Sequence, residues 1–152
     1  MWQRQQTLYL AISTILMVVM IFSVKAVVPA ADGSWAEAYK YAAYTPYLIL
    51  LIIISLLDLL ALTTFKVRVF QMRTAVLSAL ITFAFAVWLL VDFIQNHGSM
   101  VFRYTAVFPV LSIILNIMAV RGILADQLLV ESAYHLRKSR RERRAEEKKL
   151  KK

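Results

Sequence analysis

Residues Tyr47–Phe65 read YLILLIIISLLDLLALTTF, an almost unbroken apolar run with a single carboxylate, Asp58, inside it. A helix rises about 1.5 Å per residue, so about 20 apolar residues cross the ~30 Å hydrocarbon core of a bilayer. A chain built around such a run is constrained to a membrane. Three further runs of similar length accompany it, and 61% of the 152 residues are hydrophobic, against about 45–50% in soluble domains. The runs predict one domain with spans at about residues 7–28, 46–65, 74–94 and 103–121.

Leu8–Val24 follows Arg4 and precedes Val28-Pro29-Ala30, a pattern that invites reading as a cleaved signal. Its apolar stretch exceeds the usual ~7–15 residues of a signal core, so a retained transmembrane helix is the expectation. In the first connection, Ser34 and Glu37 have the spacing of a capping box, which predicts a short helix carrying Trp35, Tyr39 and Tyr41. Tyr44 and Tyr47 follow, and such aromatic rings with polar tips anchor at membrane–water boundaries; an aromatic ligand cage is the alternative. Thr45-Pro46 reads as an N-cap followed by proline at the first helical position. Asn96-His97-Gly98 is turn chemistry between the third and fourth spans.

Arg4, Lys66, Arg68, Arg73, Arg121 and the C-terminal tail fall on one side of this layout, and Lys25, Lys40 and Arg103 on the other. The positive-inside rule then places both termini in the cytoplasm. The expected fold is all-α: an integral membrane four-helix up-down-up-down bundle with a basic cytoplasmic C-terminal tail. Residues 122–136 keep helical spacing and either extend the fourth helix or turn at Gly122 to lie on the membrane. From Arg137 to Lys152, ten Lys/Arg against three Glu hold +7 of the net +9. That tail, 137–152, is expected to be disordered, with transient helix from pairs four residues apart such as Lys138–Glu142 and Arg143–Glu147.

Asp58 is the strongest individual signal. A carboxylate within a span costs several kcal/mol unless it is paired, protonated or facing water. Counting from the charged ends of the spans puts Asn116, Ser13 and Ser78 at a similar depth, so each helix offers one polar group to a common layer. Two readings remain open: an interhelical hydrogen-bond cluster of roughly 0.6–2 kcal/mol per bond, with a protonated Asp58 donating to Asn116, or a proton- or ion-handling site. Asp92 and Arg103 sit near the outer boundary and are expected to pair.

His97 and His135 fall on opposite sides of the predicted membrane, and cysteine is absent. No HExxH, GxSxG, Walker or GxGxxG motif occurs. Neither catalytic residues nor a metal or cofactor site is therefore expected. For the tail, with Arg137, Lys138, Arg140, Arg141, Arg143 and Arg144 foremost, anionic lipid is the first expected partner and a protein the second. RNA or ribosome contact is weaker, because no aromatic follows Leu136 to stack on bases.

The two ends of the chain carry a resemblance. WQRQQTLYLAIS, Trp2 to Ser13, and NIMAVRGILADQLLVESAYHLR, Asn116 to Arg137, resemble an uncharacterised four-helix inner-membrane family of Bacteroidota-type bacteria, a domain-of-unknown-function family. The matching positions are Gln3, Arg4, Gln6, Tyr9, Asn116, Arg121, Asp126, Leu129, Val130, Ser132 and Arg137. The resemblance implies the bacterial inner membrane and the four-span topology, and supplies no activity. It directs attention to Gln3, Arg4, Gln6, Arg121 and Asp126, which adjacent first and fourth helices would gather at the cytoplasmic edge as a polar lock or docking surface. The expected function is a non-enzymatic accessory or scaffold subunit binding anionic lipid and a protein partner. The alternative is a small proton- or ion-coupled transporter or channel component using Asp58 and Asn116.

Overall fold

The computed structural model describes residues 3–29, 35–64 and 67–150. A backbone in hydrocarbon finds no water to bond, so each apolar run closes its N–H and C=O groups on itself as helix. The four helices are α1 (Gln3–Phe22), α2 (Thr45–Thr63), α3 (Arg68–Asn96) and α4 (Phe108–Leu150). All four are long and apolar enough to cross a membrane. Pro46 occupies the first turn of α2, where its missing N–H costs nothing. At the other end, the Thr63 and Thr64 hydroxyls donate back to the Leu59 and Leu60 carbonyls, so their own donors are satisfied within the helix. Phe65, the expected last residue of this span, lies outside the described residues.

Helix α1 packs on α2 and α4, and α3 packs on the same two, so the helices form a closed four-membered ring in sequence order. Large apolar side chains, among them Leu56, Leu80 and Ile94, point outward from it. In water that surface would be unstable; hydrocarbon is its matching solvent. Inside, one core cluster gathers large side chains, with Met17, Met20, Leu51, Ile54 and Phe85. A second consists of Leu10, Ala61, Ala75 and Ala119, where three alanines let the helices approach closely.

A three-stranded antiparallel sheet caps one pole, which we call the sheet pole. Its order is β2–β1–β3, with β1 Val24–Pro29, β2 Trp35–Lys40 and β3 Val101–Phe102. This corrects two expectations. The first helix stops at Phe22 rather than near residue 28, and the connection expected as a short helix is strand β2. The β-branched residues Val24, Val27 and Val28 explain both, since they fit a pleated, half-buried surface better than a helix. Ala26 and Val27 of the central strand are buried. The Ser34 half of the capping box lies outside the described residues, as does the Trp35 side chain. Tyr39 is exposed and donates to Glu37 instead. Tyr41 is buried, which raises its phenol above the ordinary value.

The sheet also reassigns an ion pair. Asp92 was expected to meet Arg103; it meets Lys25, whose Nζ donates to Oδ2 at 2.6 Å. Strand β1 carries Lys25 inward to the end of α3, while Arg103 gives its backbone N–H to the Lys25 carbonyl. The Tyr47 hydroxyl at 3.1 Å and Asn96 Nδ2 at 2.9 Å complete the Asp92 shell. Tyr47 is thus a buried core residue packed edge-on to Phe85 and Trp88, not an interfacial anchor. Lys25→Met is expected to cost about 1–3 kcal/mol by leaving Asp92 short of its charged partner. Arg103→Met should stay within about 0.5 kcal/mol. Thermal unfolding in detergent compares them, and equal losses would contradict the assignment.

Helix α4 settles the choice left open at Gly122. A short 3-10 turn, Tyr104–Val107, precedes it, and from Phe108 it runs unbroken through Gly122 to Leu150. Gly122 is a contact point rather than a hinge. A Cβ there would lie 2.8 Å from Gln6 Cγ, so the missing side chain makes room for α1. The stretch expected as a disordered tail continues the same helix. Its Lys/Arg–Glu pairs four residues apart and its lack of internal glycine and proline favour that outcome.

Candidate functional site

Between the two core clusters lies a layer of polar side chains around Asp58, which is wholly buried. The Ser13 hydroxyl of α1 donates to Asp58 Oδ2 at 2.6 Å. The Ser78 hydroxyl of α3 donates to Oδ1, and Asn116 Nδ2 of α4 reaches the same oxygen at 3.1 Å. One carboxyl on α2 is therefore tied to each of the other three helices. Asp58, Asn116, Ser13 and Ser78, placed at one depth by counting, do meet.

The sequence reading missed a fifth member, Ser112, whose hydroxyl lies 2.6 Å from that of Ser13 and is also buried. Its signal was available: Ser112 stands four residues before Asn116, on the same helical face. Ser13 has one hydroxyl hydrogen and commits it to Asp58, so Ser112 donates to Ser13. The result is a directed chain from α4 through α1 to α2.

One expected detail is reversed. Asp58 was expected to donate to Asn116, but Asn116 presents its N–H group to Asp58 and to the Ser78 oxygen at 3.4 Å. Asn116 Oδ1 is buried without a hydrogen-bond partner among the described residues. A carboxyl already receiving three donors, Ser13, Ser78 and Asn116, has its hydrogen-bonding capacity largely used by the protein. Such a centre cross-links a bundle.

At the opposite end from the sheet, the tail pole, α1 and α4 are joined by Gln6. Its Nε2 donates to Asp126 at 3.2 Å, and its stem packs over Gly122. Beside it a cavity of about 260 Å³ is lined by Gln6, Tyr9, Met118 and Arg121 among others. Arg121 is exposed. The structure thus gathers Gln6, Arg121 and Asp126 at one edge. Gln3 and Arg4 lie in the first turn of α1, and their side chains are outside the described residues.

Beyond Asp126, α4 carries a run of uncovered apolar side chains: Leu128, Leu129, Val130, Tyr134 and Leu136, with Leu129 67% and Tyr134 68% exposed. Arg137 is exposed as well. Lys138, Arg140, Arg141, Arg143 and Arg144 continue on the same helix, and only their backbone is described. Among the described residues no three His, Cys, Asp or Glu side chains come together as a metal site.

A family model described as a domain of unknown function (DUF4293) matches residues 2–136, nearly the whole chain. No curated protein and no solved structure matches it.

Proposed function

The chain belongs to this family of unknown function, and from that premise we propose that it is a non-enzymatic integral membrane protein serving as an accessory or scaffold subunit. It docks a protein partner through the tail-pole edge and the projecting part of α4. The observation that supports this is the unbroken course of α4. Asp126 is tied to α1, yet the helix continues to Leu150, a further ~36 Å at 1.5 Å per residue. Large apolar residues along its first turns are mostly exposed among the described residues, and exposed apolar surface of that kind marks an interaction site.

The same length bears on what the basic segment binds. Arg137 lies about 16 Å of helix beyond Asp126, farther than the ~8–10 Å over which charges act at physiological salt. A helix that keeps the axis of its span therefore lifts the tail out of the field of an anionic leaflet. An acidic protein surface is the better fit for the tail, with anionic lipid and nucleic acid as weaker candidates. A photo-crosslinker at Leu136 in the full-length protein, activated in native membranes, tests this. A discrete adduct with a second protein, absent for a crosslinker at lipid-facing Leu56, is the expected result. Adducts to lipid alone would defeat the proposal.

The location that goes with this reading is the bacterial inner membrane, with both termini cytoplasmic. Its support is the clustering of Arg68, Arg73, Arg121 and the tail away from Lys25, Lys40 and Arg103. The chain has no cysteine, so single cysteines report topology cleanly. Ser99→Cys should react with an impermeant maleimide once the outer membrane is permeabilised. Ser139→Cys should react only after the inner membrane is opened. The reverse pattern would invert the orientation.

A further inference from the structure

We propose that the groove between α3 and α4 at the tail pole is a binding site for one anionic phospholipid, whose acyl chain lies along the groove and whose phosphate is held by Arg73 and Arg121. This stands apart from the docking role of the α4 projection and uses different residues of the chain, Arg121 excepted.

The groove encloses about 330 Å³. Val76, Ala79, Leu80 and Phe83 of α3 form one wall, Ile113 and Ile117 of α4 the other, and Arg121 lies at its mouth. Phe83 and Ile113 also line a second apolar cavity, about 410 Å³, that continues toward the sheet pole. The two cavities thus stack end to end and meet at those residues.

Depth and charge identify the occupant. Asn116 Nδ2 lies against the Ser78 hydroxyl, which sets α3 and α4 level at that point. Arg73 stands five residues before Ser78 and Arg121 five residues after Asn116, each about 7.5 Å along its helix. The two guanidinium-bearing residues therefore share one depth. Arg73 is exposed and precedes Val76 by three residues and Leu80 by seven, which puts it on the groove's face of α3. From Arg73 to Phe83 is about 15 Å of helix, half of the ~30 Å hydrocarbon core. The groove is thus one leaflet deep, with two cations at headgroup level and its floor at the midplane. A phosphodiester between two guanidinium groups gains charge-assisted, bidentate bonds. The upper cavity has no charged residue in its lining, so the preference for an anion belongs to the lower one.

A second copy of this chain is a poorer occupant. Copies in one membrane share an orientation, and the same two arginines on each would meet like charges at the same depth.

The test is native mass spectrometry of the full-length protein released from nanodiscs of equal phosphatidylglycerol and phosphatidylcholine. Wild type is expected to retain one phosphatidylglycerol in preference to phosphatidylcholine. Arg73→Gln/Arg121→Gln should lower that preference by about tenfold or more, since each basic residue near a headgroup favours an anionic lipid by about 1 kcal/mol. Ala79→Leu, which fills the groove, should lose both lipids. Deleting residues 137–152 should leave the preference intact. Four results would overturn the proposal. They are an unchanged preference in the arginine double variant, an unchanged lipid load in Ala79→Leu, a preference that disappears with the tail, or a wild-type dimer that Ala79→Leu separates.

Discussion

Asp58→Leu is expected to remove about 2–5 kcal/mol of bundle stability. It deletes the acceptor shared by Ser13, Ser78 and Asn116, and interhelical hydrogen bonds in membranes are worth about 0.6–2 kcal/mol each. Leucine also leaves three donors buried among apolar side chains, and each such group costs about 1–3 kcal/mol if it finds no new partner. Asp58→Asn should behave differently. An amide of the same shape keeps one acceptor, and the serine hydroxyls can rotate to accept from its N–H group, so a loss below about 1.5 kcal/mol is expected. Thermal unfolding in mild detergent separates the two variants. Equal stability of Asp58→Leu and wild type would show that the layer does not hold the bundle together. A stable Asp58→Asn protein that had lost a pH-driven flux present in wild-type proteoliposomes would move the carboxyl from structure to ion handling.

Ser112 offers a graded version of the same experiment. It donates to Ser13, not to the carboxyl itself, so Ser112→Ala should lose less than Asp58→Leu. The order of the two losses then separates the centre of the layer from its outermost member.

Gly122→Leu is the second large effect expected. Leucine is the better helix former by close to 1 kcal/mol, so on an isolated α4 the change would stabilise. In the bundle its Cβ would lie 2.8 Å from Gln6 Cγ, so the Gln6 side chain would have to leave its place over the glycine. Overpacking of this kind costs about 1–3 kcal/mol, and it also displaces the Gln6 amide from Asp126. Adding Gln6→Ala removes the obstruction, so the double variant should recover part of the loss, with a coupling of about 0.5–3 kcal/mol. Losses that simply add would mean that Gln6 is not what Gly122 makes room for. The measurement matters for the docking proposal too, because this crossing anchors the base of the α4 projection.

The family resemblance drawn from Trp2–Ser13 and Asn116–Arg137 is shown by the match over residues 2–136. Both stretches contribute to the α1–α4 contact at the tail pole, where Gln6 meets Gly122 and Asp126.

The layer around Asp58 was largely legible because depth in a membrane helix is a one-dimensional quantity. Counting residues from a charged end at 1.5 Å each placed Ser13, Asp58, Ser78 and Asn116 together without knowledge of which helices touch. The spans themselves were legible for a related reason, since hydrocarbon penalises every unpaired backbone group and leaves helix as the answer for a long apolar run. The direction of hydrogen bonding within the layer was not legible, and Asn116 turned the opposite end of its amide to Asp58.

What failed lay at the membrane edge, where water can satisfy a backbone and helix is no longer compulsory. There Val24–Pro29 became a strand, paired with the neighbouring Trp35–Lys40 on one edge and with the distant Val101–Phe102 on the other. The same sheet took Asp92 from Arg103 and gave it to Lys25. Sequence alone thus determined the solvent this protein is built for, its four helices and the depth of its buried carboxyl, all consequences of local length and polarity. Only the tertiary structure decided the sheet, the ion pair, the role of Gly122 and the α3–α4 groove. Each of these depends on which surfaces meet, and a single strand of residues carries no record of that.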